Sequence, residues 1–223
     1  MIKFKNIITA DVHQMMFIVE GMRNPMNSWD QSLSRIEFDS MLEGMFVLSY
    51  NDRDLMLRLS KAGTDHRKFM RMMPVYVRIT APLYWWKEFD TYKVGTVSNS
   101  CSTMHKIAEK EFTLDDFSHE HLIDTCLLEK IINELNIYRD IYNNYDAQSD
   151  EYKAEFSKKD IWWQMIQLLP SSYNQTRNVM MNYEVLANIY KSRKEHKLNE
   201  WREFCTLIEK LPYSEIIIGN TED

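Results

Sequence analysis

The sequence predicts a mainly helical α+β chain with a small sheet, on three observations. Only 5 of the 223 residues are Gly and 5 are Pro, so long stretches run without a turn-former. Several of these stretches carry apolar residues at three- and four-residue spacing, the signature of amphipathic helices. In contrast, Pro74-Val-Tyr-Val-Arg-Ile-Thr80 alternates, with Val75, Val77 and Ile79 on one face and Tyr76, Arg78 and Thr80 on the other, as a half-buried strand does.

The elements follow in order. Ile2, Phe4 and Ile7-Ile8 predict a short opening strand. Asp11 can cap a helix through Met15, Met16, Ile18 and Val19 that Gly21 ends, with a loop from Gly21 to Ser28. From Leu33, the residues Ile36, Met41, Leu42 and Met45 fall at helical spacing. After a break at Asn51-Asp52, a further helix carries Leu55, Leu59 and Ala62 and stops at Gly63. Pro82 suits the first turn of the next helix, where a missing N–H costs nothing. That helix is aromatic and charged, and it runs into a glycine-marked turn at Gly95 that is rich in hydroxyls. Asp115-Asp116 and Ser118 offer caps for a long helix through Leu122, Ile131, Ile132, Leu135 and Tyr138 to about Tyr145. Ser149 to Lys158 reads as a short helix or connector. Asp160 caps Ile161 to Leu169, which Pro170 ends. Ser171 or Ser172 caps a long helix to about Arg193, and His196 to Ile208 forms the last helix.

Composition narrows the function. Hydrophobic residues make up 44% of the chain, enough for a core and too many for disorder. The length suits one substantial domain or two small ones. A formal net charge of -6 argues against an electrostatic grip on duplex nucleic acid or an anionic membrane. The 15 Met read as core filler. Cys101, Cys126 and Cys205 are odd in number, widely spaced and free of any CxxC pair, so neither a zinc ribbon nor a disulfide framework is indicated. No run approaches the ~20 apolar residues of a membrane span, and the opening Met1-Ile-Lys-Phe-Lys lacks a secretory pattern. The expected compartment is a reducing cytoplasm.

No glycine-rich phosphate loop, zinc-binding HExxH or nucleophile-elbow sequence occurs. His119-Glu-His121 places its histidines on different faces of a helix, so a solvated pair is the better reading than a metal site. Ser98, Ser100, Cys101 and Ser102, with His105 beyond, read better as a turn satisfying its own backbone than as a nucleophile. The aromatic helix beside this turn suggests an apolar wall against a polar floor, the usual make-up of a small-molecule site. Asn182, Asn188 and Arg193 fall at i, i+6 and i+11 of the late helix, within one broad face. Amides can read a heterocycle edge, and a guanidinium can grip phosphate. On spacing alone, ordinary surface polar residues are the stronger reading.

These pieces together resemble the flavin-dependent thymidylate synthases. In that family a strand passes through an Ala-Pro step into a helix of the type Arg-Gln-Trp-x-Arg-His-Arg, followed by Ser, Asn-Glu, Ser and Arg. A later Leu-Pro precedes spaced Asn, Arg, Asn and Arg, and then a Gln-Trp-Glu step. Here Ala81-Pro82 leads to Lys87-Glu-Phe-Asp-Thr91-Tyr92-Lys93, and Leu169-Pro170 precedes Asn182, Asn188, Arg193 and Glu200-Trp201-Arg202. The likeness covers roughly residues 70–205. Thr91-Tyr92-Lys93 stands in place of Arg-His-Arg. Asn99 and Ser102 match with one residue inserted, Ser100 replaces Glu, the closing Arg is missing, and Glu184 stands where the pattern has Arg.

The resemblance implies one α+β domain over residues 1–223, mainly helical with a small antiparallel sheet. It implies FAD, with NADPH and methylenetetrahydrofolate, acting on a pyrimidine nucleotide in a homotetramer. Lys93, Asn99, Asn182 and Asn188 are then expected at the cofactor, and Arg78, Glu88, Ser102 and Arg193 at the substrate. No catalytic residue and no metal is assigned. Arg78, Lys87 and Arg177 are cations that could stand in for those lost. The aromatic pairs Trp85-Trp86 and Trp162-Trp163 are expected to need burial in an oligomer. The implied activity is a divergent C5 modification of a pyrimidine nucleotide, resembling dUMP methylation. The alternative is a nucleotide-binding or scaffold homologue without turnover.

Overall fold

The computed structural model describes residues 2–41 and 43–219. The opening strand β1 spans Lys3–Thr9 and the first helix α1 spans Val12–Arg23. Asp11 caps α1 as predicted: its carboxylate accepts the Gln14 N–H at 2.8 Å, while the Gln14 side chain accepts the Asp11 N–H at 2.9 Å. Gly21 does not end the helix, which continues to Arg23.

The helix predicted from Leu33 is instead a hairpin, β2 (Arg35–Phe38) paired antiparallel with β3 (Gly44–Val47), Arg35 opposite Val47 and Phe38 opposite Gly44. Leu42, part of that expectation, lies outside the described residues. Four apolar residues at loose helical spacing suit a hairpin equally well. Gly44 marks the difference, because a Cβ there would come within 3.2 Å of Cγ2 of Ile36 on the facing strand.

Helix α2 spans Tyr50–Lys61, and Ser49 caps it by accepting the Asp52 N–H, so Asn51-Asp52 is a first turn rather than a break. Strand β4 (Pro74–Pro82) buries Val75, Val77 and Ile79 and exposes Tyr76 and Arg78, as the alternation predicts. Pro82 occupies the cap of α3 (Leu83–Phe89). Beyond the Gly95 turn, a short exposed strand β5 (Val97–Ser100) and helix α4 (Thr103–Lys106) replace the predicted hydroxyl-rich turn.

The expected caps at Asp115-Asp116 and Ser118 start no long helix. Asp116 closes a capping box with Thr113 on a 3-10 turn of its own, and α5 spans Cys126–Asn143. Then come α6 (Asp150–Glu155) and α7 (Lys158–Leu168); Ser157 caps α7 and Asp160 is its third residue. The single long helix predicted after Ser171 is a strand followed by a helix, β6 (Asn174–Asn182) and α8 (Tyr183–Arg193). Helices α9 (Asn199–Glu209) and α10 (Glu215–Ile218) close the described chain. The four-stranded sheet has the order β1-β4-β6-β5.

The chain forms two compact units. The first comprises residues 1–3, 80–90 and 99–177, and the second residues 4–79, 91–98 and 178 onward. In the first unit α5 packs on α7 around Phe112, Phe117, Leu128, Leu135 and Met165. The Asn136 side chain completes that packing by bonding both the N–H and the C=O of Phe112, at 2.8 and 2.9 Å. Trp85, Trp86 and Phe89 form an aromatic knot with ring centroids 4.9–5.3 Å apart. Trp85 and Trp86 are 0% and 1% exposed. They are core, and neither a pocket wall nor a surface waiting for a partner. Trp163 does remain 41% exposed.

The second unit is built around Ile18, Met56, Val77, Leu186, Ile189, Trp201 and Phe204. It also buries a charge. Asp52 is fully buried and accepts from Arg23 Nε at 2.6 Å, Ser32 Oγ at 2.8 Å, Ser34 Oγ at 2.5 Å and Ser49 Oγ at 2.7 Å. This one carboxylate therefore pins α1, the residues entering β2 and the start of α2 together. Burial opposes its ionisation, but the bonds from the serines and Arg23 win and lower its pKa from 3.8 to about 2.

A carboxyl whose pKa is lower in the folded state stabilises the fold above its unfolded value and loses that contribution as pH falls through the folded one. The contribution of Asp52 should be intact above pH 4 and disappear toward pH 2, worth roughly 2 kcal/mol. Asp52→Asn should cost about 3–5 kcal/mol near neutral pH, because it leaves Arg23 buried against a neutral partner. Denaturant unfolding measured across pH checks both expectations. An acid dependence identical in wild type and variant would refute the assignment.

Candidate functional site

Most of the chemistry gathers along α8 in the second unit. Asn182 is the residue where β6 gives way to α8: its backbone is extended, and its Oδ1 accepts the Val185 N–H at 3.0 Å. Gly95 lies against this helix start with φ +76°, and a Cβ there would stand 2.7 Å from Asn182 Nδ2 and 3.1 Å from Val185 Cγ2. Only glycine admits both that turn and that approach.

Within the first turn of α8, Glu184 is 8% exposed. A buried carboxylate needs partners, and here they are arginines from the segment before β4. Arg67 Nε donates to Glu184 at 3.2 Å, and Arg71 donates to both carboxylate oxygens. Arg67 also donates to Asn188 Oδ1 at 3.2 Å, one helical turn along. Burial pushes the Glu184 pKa upward, but the bonds from Arg71 and then Arg67 outweigh it and hold the carboxyl below its ordinary value. Two guanidinium groups on one carboxylate leave a net positive charge at a position whose sequence shows only an acid.

At the far end of α8, about 14 Å from Glu184 at 1.5 Å per residue, Arg193 is half-buried. Its Nε donates to the Tyr92 hydroxyl at 2.9 Å, and its guanidinium lies 4.7 Å from the centroid of the buried Trp201 ring. Tyr92 and Trp201 meet edge to face at 5.9 Å. A cation over an indole face with one N–H already bonded keeps its orientation. Tyr92 and Trp201, neither assigned from the sequence, are thus positioning residues for Arg193.

The structure places Lys93, Asn182, Asn188 and Arg193 in the second unit, with Lys93 exposed in the Gly95 turn, Asn188 exposed on α8, and Asn182 and Arg193 at opposite ends of α8. Arg78 is exposed on β4 and donates to Asn178 at 3.2 Å. Glu88, Asn99 and Ser102 belong to the first unit. There Glu88 is half-buried, Asn99 is exposed, and Ser102 caps α4 by accepting the His105 N–H at 3.2 Å. Arg177, also in the first unit, is committed locally: it donates to Asp90 at 2.7 Å and to Gln175 at 2.9 Å and sits 4.2 Å over Trp86. A cavity of about 500 Å³ in the second unit, lined by Met15, Met45, Phe46 and Tyr213 among others, contains none of the expected site residues. Its largely apolar lining offers little to an anion.

Among the described residues no three His, Cys, Asp or Glu side chains come together to hold a metal ion. No described helix is long and apolar enough to cross a membrane.

No protein-family model matches the chain, and no curated protein matches it. Solved structures do. The fold is similar to thymidylate synthase X from Helicobacter pylori with FAD and dUMP, at a TM-score of 0.66 and 12% identity, over 100% of this chain and 99% of that one. A second Helicobacter pylori structure, flavin-dependent thymidylate synthase ThyX complexed with FAD and dUMP, gives 0.61 and 13% over 100% and 98%. The chain therefore has the α+β fold of the flavin-dependent thymidylate synthases over its whole length.

Gly95→Ala should be more destabilising than Gly63→Ala. Both glycines have positive φ, +76° and +97°, but a Cβ at Gly63 meets nothing within 4 Å. Gly63→Ala should cost about 1 kcal/mol of backbone strain. Gly95→Ala should cost more, because it also displaces the Asn182 cap, itself worth about 1 kcal/mol. Thermal unfolding of the two variants checks this, and equal losses would show that the turn does not rest on α8.

Proposed function

We propose that this chain is a divergent flavoprotein that binds FAD and a pyrimidine nucleotide and modifies the nucleotide at C5. The observation that carries the reading is α8: it holds one cationic cluster at its start and one fixed arginine at its end, within a fold shared end to end with two Helicobacter pylori structures solved with FAD and dUMP. Two positive points held at opposite ends of α8 suit ligands with separated anionic groups. The donor set fits FAD, since Arg67 and Arg71 outnumber the carboxylate they hold and Asn188 presents its amide beside them.

Bound FAD supplies the redox chemistry, and the chain supplies binding and orientation. Arg193, fixed by Tyr92 and Trp201, meets the nucleotide phosphate. Lys93 adds charge from the Gly95 turn. Asn188 takes the cofactor side with Asn182, whose oxygen also caps the helix. Arg78, Glu88, Asn99 and Ser102 keep the substrate and cofactor roles of the family pattern. By resemblance, NADPH is the reductant, methylenetetrahydrofolate the carbon donor, and the assembly a homotetramer of one domain per chain; the cysteine pattern favours a cytoplasmic compartment.

A second reading, a nucleotide-binding or scaffold homologue without turnover, draws on a specific observation. Asn182, Ser102 and Arg177 are engaged within the chain as caps and ion-pair partners. The two readings separate on turnover of the nucleotide by protein that binds it.

Calorimetry of dUMP, dCMP and dTMP tests the reading. Wild type should bind at least one of them, and Arg193→Ala should weaken that binding by about 1.5–3 kcal/mol. Tyr92→Phe should weaken it less, because the stacking on Trp201 remains. Equally negligible binding of all three nucleotides to wild type would remove the pyrimidine-nucleotide function. Binding that ignores Arg193→Ala would remove its assigned role.

A further inference from the structure

We propose that Arg67 and Arg71, carried into place by Glu184, form the contact for the diphosphate of a flavin dinucleotide. The inference rests on the flavoprotein reading and assigns residues that no sequence pattern singles out. One arginine suffices to neutralise a buried carboxylate, and Glu184 holds two. With the adjacent Asp65 and Lys68 counted as well, the cluster keeps one net positive charge. Asp65 is exposed and adds only a weaker attraction to Arg71.

The two arginines are not equivalent. The Arg67 side chain is 15% exposed and is fixed from two sides, by Glu184 and by Asn188. The Arg71 side chain is 48% exposed, with its head held by Glu184 and by the Thr64 carbonyl at 3.5 Å. One guanidinium is thus oriented by burial, and the other is anchored yet open to solvent. That is the arrangement a charge-assisted contact to an anion needs: donors fixed in advance, with one still able to reach the ligand. Asn188 adds an amide on the same face. Glu184 therefore acts as the positioning residue for both cations, which come from the chain before β4.

The test is titration of FAD, ADP, riboflavin and dUMP into the full chain and its Arg67→Ala, Arg71→Ala and Glu184→Arg variants, followed by calorimetry and flavin fluorescence. Thermal unfolding confirms that each variant is folded. Arg71 is half-exposed and its removal should leave the fold intact; Arg67→Lys, which keeps the charge, serves if Arg67→Ala unfolds. Arg71→Ala should weaken FAD and ADP about tenfold or more and leave riboflavin and dUMP unchanged. Glu184→Arg should also weaken FAD, because it removes the anchor and sets three arginines against one another. If the position merely lacked a cation, that variant would tighten FAD, which would overturn the proposal. It is likewise overturned if FAD binds Arg71→Ala as it binds wild type, or if dUMP rather than FAD is weakened. Wild type that binds ADP through Arg71 but no flavin would keep the diphosphate site and refute the flavoprotein reading. Wild type that binds neither refutes both.

Discussion

A carboxylate that leaves water must bring its counter-charges with it, and the burial of Glu184 in the first turn of α8 is the constraint on which the site depends. Its 8% exposure is tolerable because arginine reaches it from the segment before β4, and two do, Arg67 and Arg71. That requirement fixes the segment against α8 and places two guanidinium groups beside Asn188. The same rule operates in the remainder of the second unit, where Asp52 gathers Arg23 and three serines and ties the β2–β3 hairpin to α1 and α2. In both cases an acid in the sequence acts as an organiser of its neighbours, and at Glu184 the local charge becomes opposite to the residue's own.

Arg193 illustrates the complementary strategy. It is immobilised by an aromatic surface and a phenol: Trp201 beneath it and the Tyr92 hydroxyl on its Nε. Tyr92 falls where the resembled pattern has histidine, and its hydroxyl accepts a hydrogen bond from Arg193. Glu184, where the resembled pattern has arginine, is paired with Arg67 and Arg71, in a fold shared at 12–13% identity.

Much of the fold could be read from local chemistry. The alternation of Val75, Val77 and Ile79 specified β4, and Asp11 marked the start of α1. Where reading failed, tertiary contacts decided. β6 is polar for most of its length, with Val179 and Met181 its buried residues, so the strand shows little alternation of its own and looked like the continuation of a helix. Asp115, Asp116 and Ser118 carry cap chemistry, but Thr113 and Asp116 spend it on a 3-10 turn. Trp85 and Trp86 looked like an exposed aromatic surface and are core, because the next residue of their cluster, Phe89, lies one turn away on the same helix. At the site, the spacing of Asn182, Asn188 and Arg193 was visible, whereas Arg67 and Arg71 were not. The available signal was Glu184 itself: an acid on a helix flanked by apolar residues needs partners, and the Arg67–Arg71 stretch supplies them.

The central claim is that the positive charge of the cofactor site has moved off α8 and onto arginines that Glu184 holds. A crystal structure of the chain grown with FAD and dUMP tests this most directly. The account predicts the diphosphate oxygens within about 3 Å of the Arg67 or Arg71 guanidinium nitrogens, with Glu184 still bonded to both and Arg193 turned toward the dUMP phosphate. FAD bound with its diphosphate away from these arginines, or crystals that take up neither ligand, would contradict it.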